Sequence, residues 1–366
     1  MHRISQHMPR RDAMAEEWRR RQAERTSTGP SRARETEITL EPLSFDARSA
    51  NELRPATFDQ MVGQSRLKRL LRRIVANHAT TGRPLDHIML AGQSGTGKTT
   101  LGQVVAHESG APVYQLLAPL DFATFDALRR CCHDGDVVIV DEIHLQQTGD
   151  RRGVTQAPDQ ETYFSVMEDR RLTTPTGMLP FPAITIIGAT TDAGLLSEPF
   201  LNRFPLRLTL DPYTPAEMAL LAMANAHQLG VHITADAGLM FGRASRTNPR
   251  QVNTYVKNAV ALGYGSIDRA VAEEVIVELN GCTLDGLTTD MQGMLRCLLR
   301  SRRNNGKGEV VYQASVNTIA TATGHSRDSK YVSLYVEPFL LQQGYVCVTH
   351  GGRQLTDRGV VRARAL

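Results

Sequence analysis

From Phe58 onward the apolar positions fall into periodic runs. Phe58, Met61, Val62, Leu67, Leu70, Leu71 and Ile74 recur at close to 3.6 residues, which predicts a helix from about Ser65 to Asn77. His87–Ala91 reads as a short strand, and a helical pattern follows from Lys98 to Ser109. Val137–Val140 is an unbroken apolar run that ends in acids, and Ile184–Ile187 is a second such run; strands buried on both faces look like this. Strands that alternate with helices predict an α/β domain around a parallel sheet. Pro212 and Pro215 break the pattern, helical spacing resumes from about Pro215 to Leu279, and Gly281 and Gly286 mark another boundary. The last 80 residues read helix, helix, helix, hairpin. The expected organisation is an N-terminal extension over 1–48, an α/β domain over 49–211, a small helical domain over 212–286 and a C-terminal domain over 287–366.

Composition narrows the class. The chain has 366 residues, 41% of them apolar, and no apolar run near the ~20 residues of a membrane span, so no membrane association is expected. The Arg-rich first 30 residues contain no apolar core of a secretory signal. Five cysteines, an odd number with no CxxC pair, point to buried thiols in a cytoplasmic protein. The net charge of +4 hides an asymmetry. Residues 1–34 carry nine arginines against four acids, and residues 296–366 carry eleven basic residues against four acids, so the middle of the chain is acidic. A basic C-terminal segment is the footprint of a nucleic-acid-binding module. Only five of the 42 basic residues are lysine, which composition alone would also produce.

The strongest chemical signal is Gly92-Gln93-Ser94-Gly95-Thr96-Gly97-Lys98-Thr99, set between a predicted strand and a predicted helix. Gly92, Gly95 and Gly97 let backbone N–H groups turn inward around phosphate oxygens, and the helix start at Lys98 adds its partial positive charge. Lys98 can reach the β- and γ-phosphates of ATP, Thr99 can supply a hydroxyl to Mg²⁺, and Thr100 continues the loop. The Val137–Val140 strand ends at Asp141 and Glu142, where Asp141 can sit near Mg²⁺ and Glu142 can polarise an attacking water; adjacent carboxylates of this kind point to hydrolysis. His144, two residues on, reads as structural. The strand from Ile184 ends at Thr190 and Thr191, whose hydroxyls can sense a γ-phosphate or position water, or serve only as a turn. Arg203, in Leu201-Asn202-Arg203-Phe204, is a candidate arginine finger acting on a neighbouring subunit's ATP.

These elements, in this order, resemble the AAA+ ATPases, and within them the RuvB-like Holliday-junction branch-migration motors. The runs that carry the likeness include Leu53-Arg54-Pro55 with Gly63-Gln64, Asp141-Glu142-Ile143-His144, Met167-Glu168-Asp169, Gly188-Ala189-Thr190-Thr191, Asn248-Pro249-Arg250 and Glu337-Pro338-Phe339-Leu340, so it spans about 50–360. The resemblance implies an AAA+ P-loop domain with a helical lid and a C-terminal winged-helix domain, ATP and Mg²⁺ as cofactors, a homo-hexameric ring, and action on branched or duplex DNA in recombination and repair. It implies that Arg250 contacts the γ-phosphate from the lid. Tyr213 falls where the family's adenine pocket receives lid residues, although a packing tyrosine would read the same way. In the winged helix, Gly351-Gly352-Arg353 reads as a hairpin tip that carries Arg353 into a minor groove, with Lys330 as a further DNA contact. A loader or assembly switch that remodels a clamp, helicase or transposase component, and a nucleotide-controlled DNA-binding regulator, are the alternative functions.

The chain departs from the family in three places. Residues 1–48 are additional. The stretch from Leu145 to Gln160 is longer, and Arg151 and Arg152 at its centre are expected to touch DNA phosphates in the ring pore. The stretch from Arg170 to Pro180 is shorter than the family's long hairpin, and its flanks read as too short to pair. A RuvA-like partner is therefore not expected to dock there.

Overall fold

The structure is a computed structural model; it describes residues 38–44, 53–82, 84–147, 160–174, 176–304, 308–325 and 328–366. Residues 40–366 form one compact unit. Arg151, Arg152 and nearly all of the N-terminal extension lie outside the described residues.

Five parallel strands make the central sheet: β1 (Ile88–Ala91), β2 (Val113–Leu117), β3 (Val137–Asp141), β6 (Thr185–Thr190) and β7 (Leu206–Thr209), in the order β2-β3-β6-β1-β7. The two-residue period of a strand sorts their side chains to two separate cores. Ile88, Leu90, Val137, Ile139 and Ile187 join one core, completed by helices α1 (Ser65–Thr81) and α2 (Lys98–Glu108) through Leu67, Leu71, Leu101 and Val104. Met89, Val138, Val140 and Ile186 join the other, which is filled by aromatics including Phe125 of α3 (Phe122–Cys131), Tyr163 of α4 (Gln160–Phe164) and Phe200 of α5 (Glu198–Leu201). Burial on both faces is why β1, β3 and β6 are legible as apolar runs. Helix α1 runs four residues beyond its predicted end. That last turn carries no apolar periodicity, and Gly82, at φ 65°, closes it by donating its amide to His78 O.

The segment from Arg170 to Pro180 corrects one expectation. Its short flanks do pair: β4 (Arg171–Thr174) runs antiparallel to β5 (Gly177–Pro180), from Arg171↔Pro180 to Thr174↔Gly177, and Thr174 Oγ1 donates to Gly177 O at 2.6 Å across the turn. Four-residue strands suffice because Leu172 on one of them is fully buried against the aromatic core.

A helical layer follows: α6 (Pro215–Gln228), α7 (Ala235–Ala244), α8 (Pro249–Ala261) and α9 (Arg269–Glu274), with a short parallel pair, β8 (His232–Ile233) and β9 (Ser266–Ile267), and its own core around Phe241, Tyr255 and Val256. Thr214 opens α6 with a reciprocal cap, accepting from Glu217 N while the Glu217 carboxylate accepts from Thr214 N at 2.8 Å. The C-terminal part has helices α10 (Thr289–Arg300), α11 (Val316–Ala322), α12 (Ser329–Tyr331), α13 (Glu337–Gln342) and α14 (Asp357–Arg364), with a four-stranded sheet. Its hairpin is β12 (Val346–Thr349) against β13 (Gly352–Leu355). This is a winged helix, extended by two strands that the sequence pattern did not predict, β10 (Arg302–Asn304) and β11 (Val310–Ala314). The first is wholly exposed and polar.

Arg353 requires a second correction. It lies within β13, opposite Val348, rather than at a free tip, and its guanidinium grips the buried Glu337 carboxylate through two bonds, Nε at 2.5 Å and Nη2 at 2.8 Å. That pair also explains the glutamate of the Glu-Pro-Phe-Leu run. Arg353→Ala would strand a buried carboxylate, and losing one partner of such a pair costs about 3–5 kcal/mol. The expected result is a large drop in the melting temperature of the winged helix with little change in DNA-free ATP turnover, read by thermal unfolding and phosphate release.

Candidate functional site

The C-terminal ends of β1, β3 and β6 are neighbours, with Ala91 opposite Thr190 and Val140 opposite Gly188. Open α/β sheets bind ligands at these ends, and the segments that follow the three strands here are the glycine-rich loop, Asp141-Glu142 and Thr190-Thr191. A cavity of about 660 Å³ opens there. The loop and the start of α2 contribute Gly95, Gly97, Lys98, Thr99 and Thr100 to its wall, β2 contributes Gln115, the end of β3 and the residue after it contribute Asp141 and Glu142, and the helical layer contributes Tyr213, Arg250 and Lys257. Gly92 forms the loop's first turn, its amide donating to Thr190 O at 3.3 Å.

The loop has the geometry of a phosphate cradle. Gly95 (φ 82°) and Gly97 (φ 91°) are left-handed, and Gly97 caps the start of α2. A Cβ on Gly95 would lie 2.6 Å from Asn248 Oδ1, so the helical layer packs directly on the loop. Lys98 is buried, and its Nζ donates to Gly92 O at 2.8 Å and Gln93 O at 2.9 Å. Burial pulls its ammonium below the usual lysine range, against the opposing pull of the Glu142 and Asp141 carboxylates. An ammonium whose hydrogen bonds, among the described residues, go to two neutral carbonyls at a helix start is poised to transfer to phosphate oxygens.

Asp141 is held on both oxygens. Thr99 Oγ1 donates to Oδ1 at 2.6 Å, and Gln115 Nε2 donates to Oδ2 at 2.7 Å. Gln103 Nε2 in turn donates to Gln115 Oε1 at 2.7 Å. A hydroxyl and a carboxylate in contact are hard oxygen donors of the type Mg²⁺ takes. The sequence reading missed Gln115 and Gln103; Gln115 sits in β2, where a polar residue interrupts the apolar signal.

Glu142 occupies a left-handed conformation (φ 49°) and accepts from Thr191 Oγ1 at 3.0 Å. Thr190 is fully buried and does not line the cavity, a correction to its expected contact with the nucleotide: its hydroxyl meets His144 Nδ1 at 3.0 Å and accepts from Asp192 N at 3.0 Å. His144 Nδ1 is also 3.4 Å from Glu142 Oε2.

Tyr213 is buried, with its ring against Gly63 and its hydroxyl beside Gly97; burial pushes the phenol up to about 12. It therefore both packs and forms the cavity wall. Arg250 is the second residue of α8, and its amide donates to Asn248 Oδ1 at 3.0 Å. Arg203 stays outside the cavity of its own chain. Its guanidinium lies 3.6 Å over the Phe164 ring, pairs with Glu168 at 3.1 Å and donates to Pro199 O at 2.6 Å. Lys330 is exposed on α12.

A parallel sheet in this order, with a phosphate loop after β1, paired acids after β3, a helical lid and a winged helix, defines a P-loop ATPase of the AAA+ class. Residues 53–210 match the Holliday junction DNA helicase RuvB P-loop domain, and residues 286–362 match the RuvB C-terminal winged helix domain. The chain is 33% identical over 334 residues to the Holliday junction branch migration complex subunit RuvB of Rubrobacter xylanophilus, covering 87% of this chain and 89% of that one. It is 31% identical over 335 residues to the subunit of the same name from Methanoregula boonei, covering 89% and 96%. The Thermotoga maritima RuvB Holliday junction branch migration motor superposes with a TM-score of 0.67 at 26% identity, over 85% of this chain and 98% of that one. The chain belongs to the RuvB family. Among the described residues, no helix is long and apolar enough to cross a membrane.

Proposed function

We propose that this chain is an ATP-driven DNA translocase of RuvB type that works on branched DNA as a ring of identical subunits. The observation that carries the reading is the convergence of Lys98, Thr99, Asp141 and Glu142 on one cavity while Arg203 stays outside it. The cavity's own arginines, Arg54 and Arg250, lie in its wall, so in this reading Arg203 is left to serve the site of a second subunit. Thr99 and Asp141 would hold Mg²⁺, which supplies charge neutralisation on the phosphates. Lys98 and the loop amides bind and orient the triphosphate, Glu142 takes the proton of the attacking water, and Arg250 reports the γ-phosphate to the lid.

The basic C-terminal segment supports DNA as the partner, with Lys330 as a contact; Arg151 and Arg152 remain candidates for the pore. Arg353 is paired with Glu337, so a contact from it to DNA would have to be made from within that pair. Docking of a RuvA-like partner on the β4–β5 hairpin is weak in this reading. Met178 and Leu179 are its exposed apolar residues, and so small an area makes for transient contact.

The test is ATP turnover with single-stranded, duplex and four-way-junction DNA, with oligomer size measured in each mixture. Preferential stimulation by the junction, together with ring-sized assemblies and strand movement, is expected. Stimulation by DNA without strand movement would favour a loader, and tight binding to one duplex sequence would favour a regulator.

A further inference from the structure

We propose that His144 is a positioning residue that aims the Glu142 carboxylate and mounts it on the end of strand β6. The inference rests on the reading of Glu142 as the base.

Its Nδ1 faces two oxygens, Thr190 Oγ1 at 3.0 Å and Glu142 Oε2 at 3.4 Å, and its side chain is 12% exposed. An ionised carboxylate can only accept. With the proton on Nδ1 the hydrogen bond goes to Thr190 Oγ1 and the same N–H dipole faces the Glu142 carboxylate, whereas the other tautomer would set a lone pair against an anion.

The two oxygens differ in how firmly they are held. Thr190 is fully buried, its hydroxyl accepts the Asp192 amide, and its carbonyl accepts the amide of Gly92 at the start of the phosphate loop. Glu142 has a left-handed backbone, and its side chain is 37% exposed. One further contact, from the exposed Thr191 hydroxyl, restrains its Oε2. His144 links the loosely held group to the rigid one. The turn that carries it is pinned next door: Ile143 is fully buried, and a Cβ on Gly188 of β6 would lie 2.9 Å from Ile143 Cδ1. Residues 142–144 are thus clamped on β6 by apolar packing at Ile143 and by a polar bond at His144. A misplacement of a reacting group by about 1 Å can cost on the order of 10²-fold in rate, so this clamp controls turnover and leaves ground-state binding to Lys98 and the loop.

The test uses the full chain with His144→Ala, His144→Asn and His144→Gln, and Glu142→Gln as reference. Asparagine places an amide nitrogen near the position of Nδ1, while glutamine places it near Nε2. Fluorescent-nucleotide titration and single-turnover phosphate release are measured on each. Nucleotide affinity is expected within about twofold of wild type in all three His144 variants. Turnover should fall roughly 10–100-fold in His144→Ala and His144→Gln, while His144→Asn keeps it within about threefold. A packing role would rank asparagine and glutamine by size instead of by nitrogen position. If His144→Ala fails to fold, the asparagine–glutamine pair still decides. Equal losses in that pair, unchanged turnover in His144→Ala, or a loss that appears only as weaker nucleotide binding would overturn the inference. Near wild-type turnover in Glu142→Gln would remove the reading of Glu142 and this inference with it; loss in Glu142→Gln beside full activity in His144→Ala and His144→Gln would remove this inference alone.

Discussion

Arg203→Ala is expected to bind ATP normally and to lose on the order of 10³-fold or more in turnover. The geometry separates these two effects. Arg203 makes no part of its own chain's cavity, so nucleotide affinity there depends on Lys98, the loop amides and the lid. Its guanidinium is parked on the Phe164 ring with Glu168 as its ionic partner, and its buried Nε has no hydrogen-bond partner among the described residues. Glu168 is exposed, and an ion pair of that kind is worth about 0–1 kcal/mol, so a neighbour's triphosphate can outcompete it. On the proposed role in trans, mixing Arg203→Ala with Glu142→Gln should restore part of the activity at interfaces that receive both intact groups. Phosphate release measured across mixing ratios checks this. Flat, null activity in confirmed mixed oligomers would place Arg203 in a cis or purely structural role.

What could be read from the sequence follows from how local the cause is. Gly95, Gly97 and Lys98 announce themselves because the cradle needs left-handed residues and a helix start within eight positions of one another. Strands β1, β3 and β6 are visible because both faces are buried. Strand β2 is not, since Gln115 breaks its apolar run while serving Asp141 from below, and β7 is an edge strand whose Leu-Arg-Leu-Thr pattern is weak. His144 and Thr190 are 46 residues apart and meet only because β3 pairs with β6, so no spacing rule could have linked them. Arg353 misled for the same reason. Gly-Gly-Arg describes a plausible tip, but Glu337, 16 residues earlier, claims the guanidinium once the domain packs.

Lys98→Ala and Glu142→Gln should fail at different steps, and the contrast tests the whole site. Lys98 is buried, is satisfied by the Gly92 and Gln93 carbonyls, and has its ammonium destabilised by burial. Phosphate oxygens offer that charge a better partner than neutral carbonyls do, so much of the gain appears on binding. Hydrogen bonds to a charged group contribute about 1.5–3 kcal/mol, which predicts roughly 10–100-fold weaker nucleotide binding in Lys98→Ala. Glu142 lies at the cavity wall, beyond the cradle, held by Thr191 and beside His144. Glutamine there keeps the shape and can still meet the Thr191 hydroxyl, but it cannot accept the water's proton. Removing a general base costs roughly 10²–10⁴-fold in turnover with nucleotide affinity retained. Fluorescent-nucleotide titration paired with single-turnover phosphate release separates the two variants. A Glu142→Gln protein that hydrolyses ATP near the wild-type rate, or a Lys98→Ala protein that binds it undiminished, would mean that the cavity between β1 and β3 is not where hydrolysis occurs.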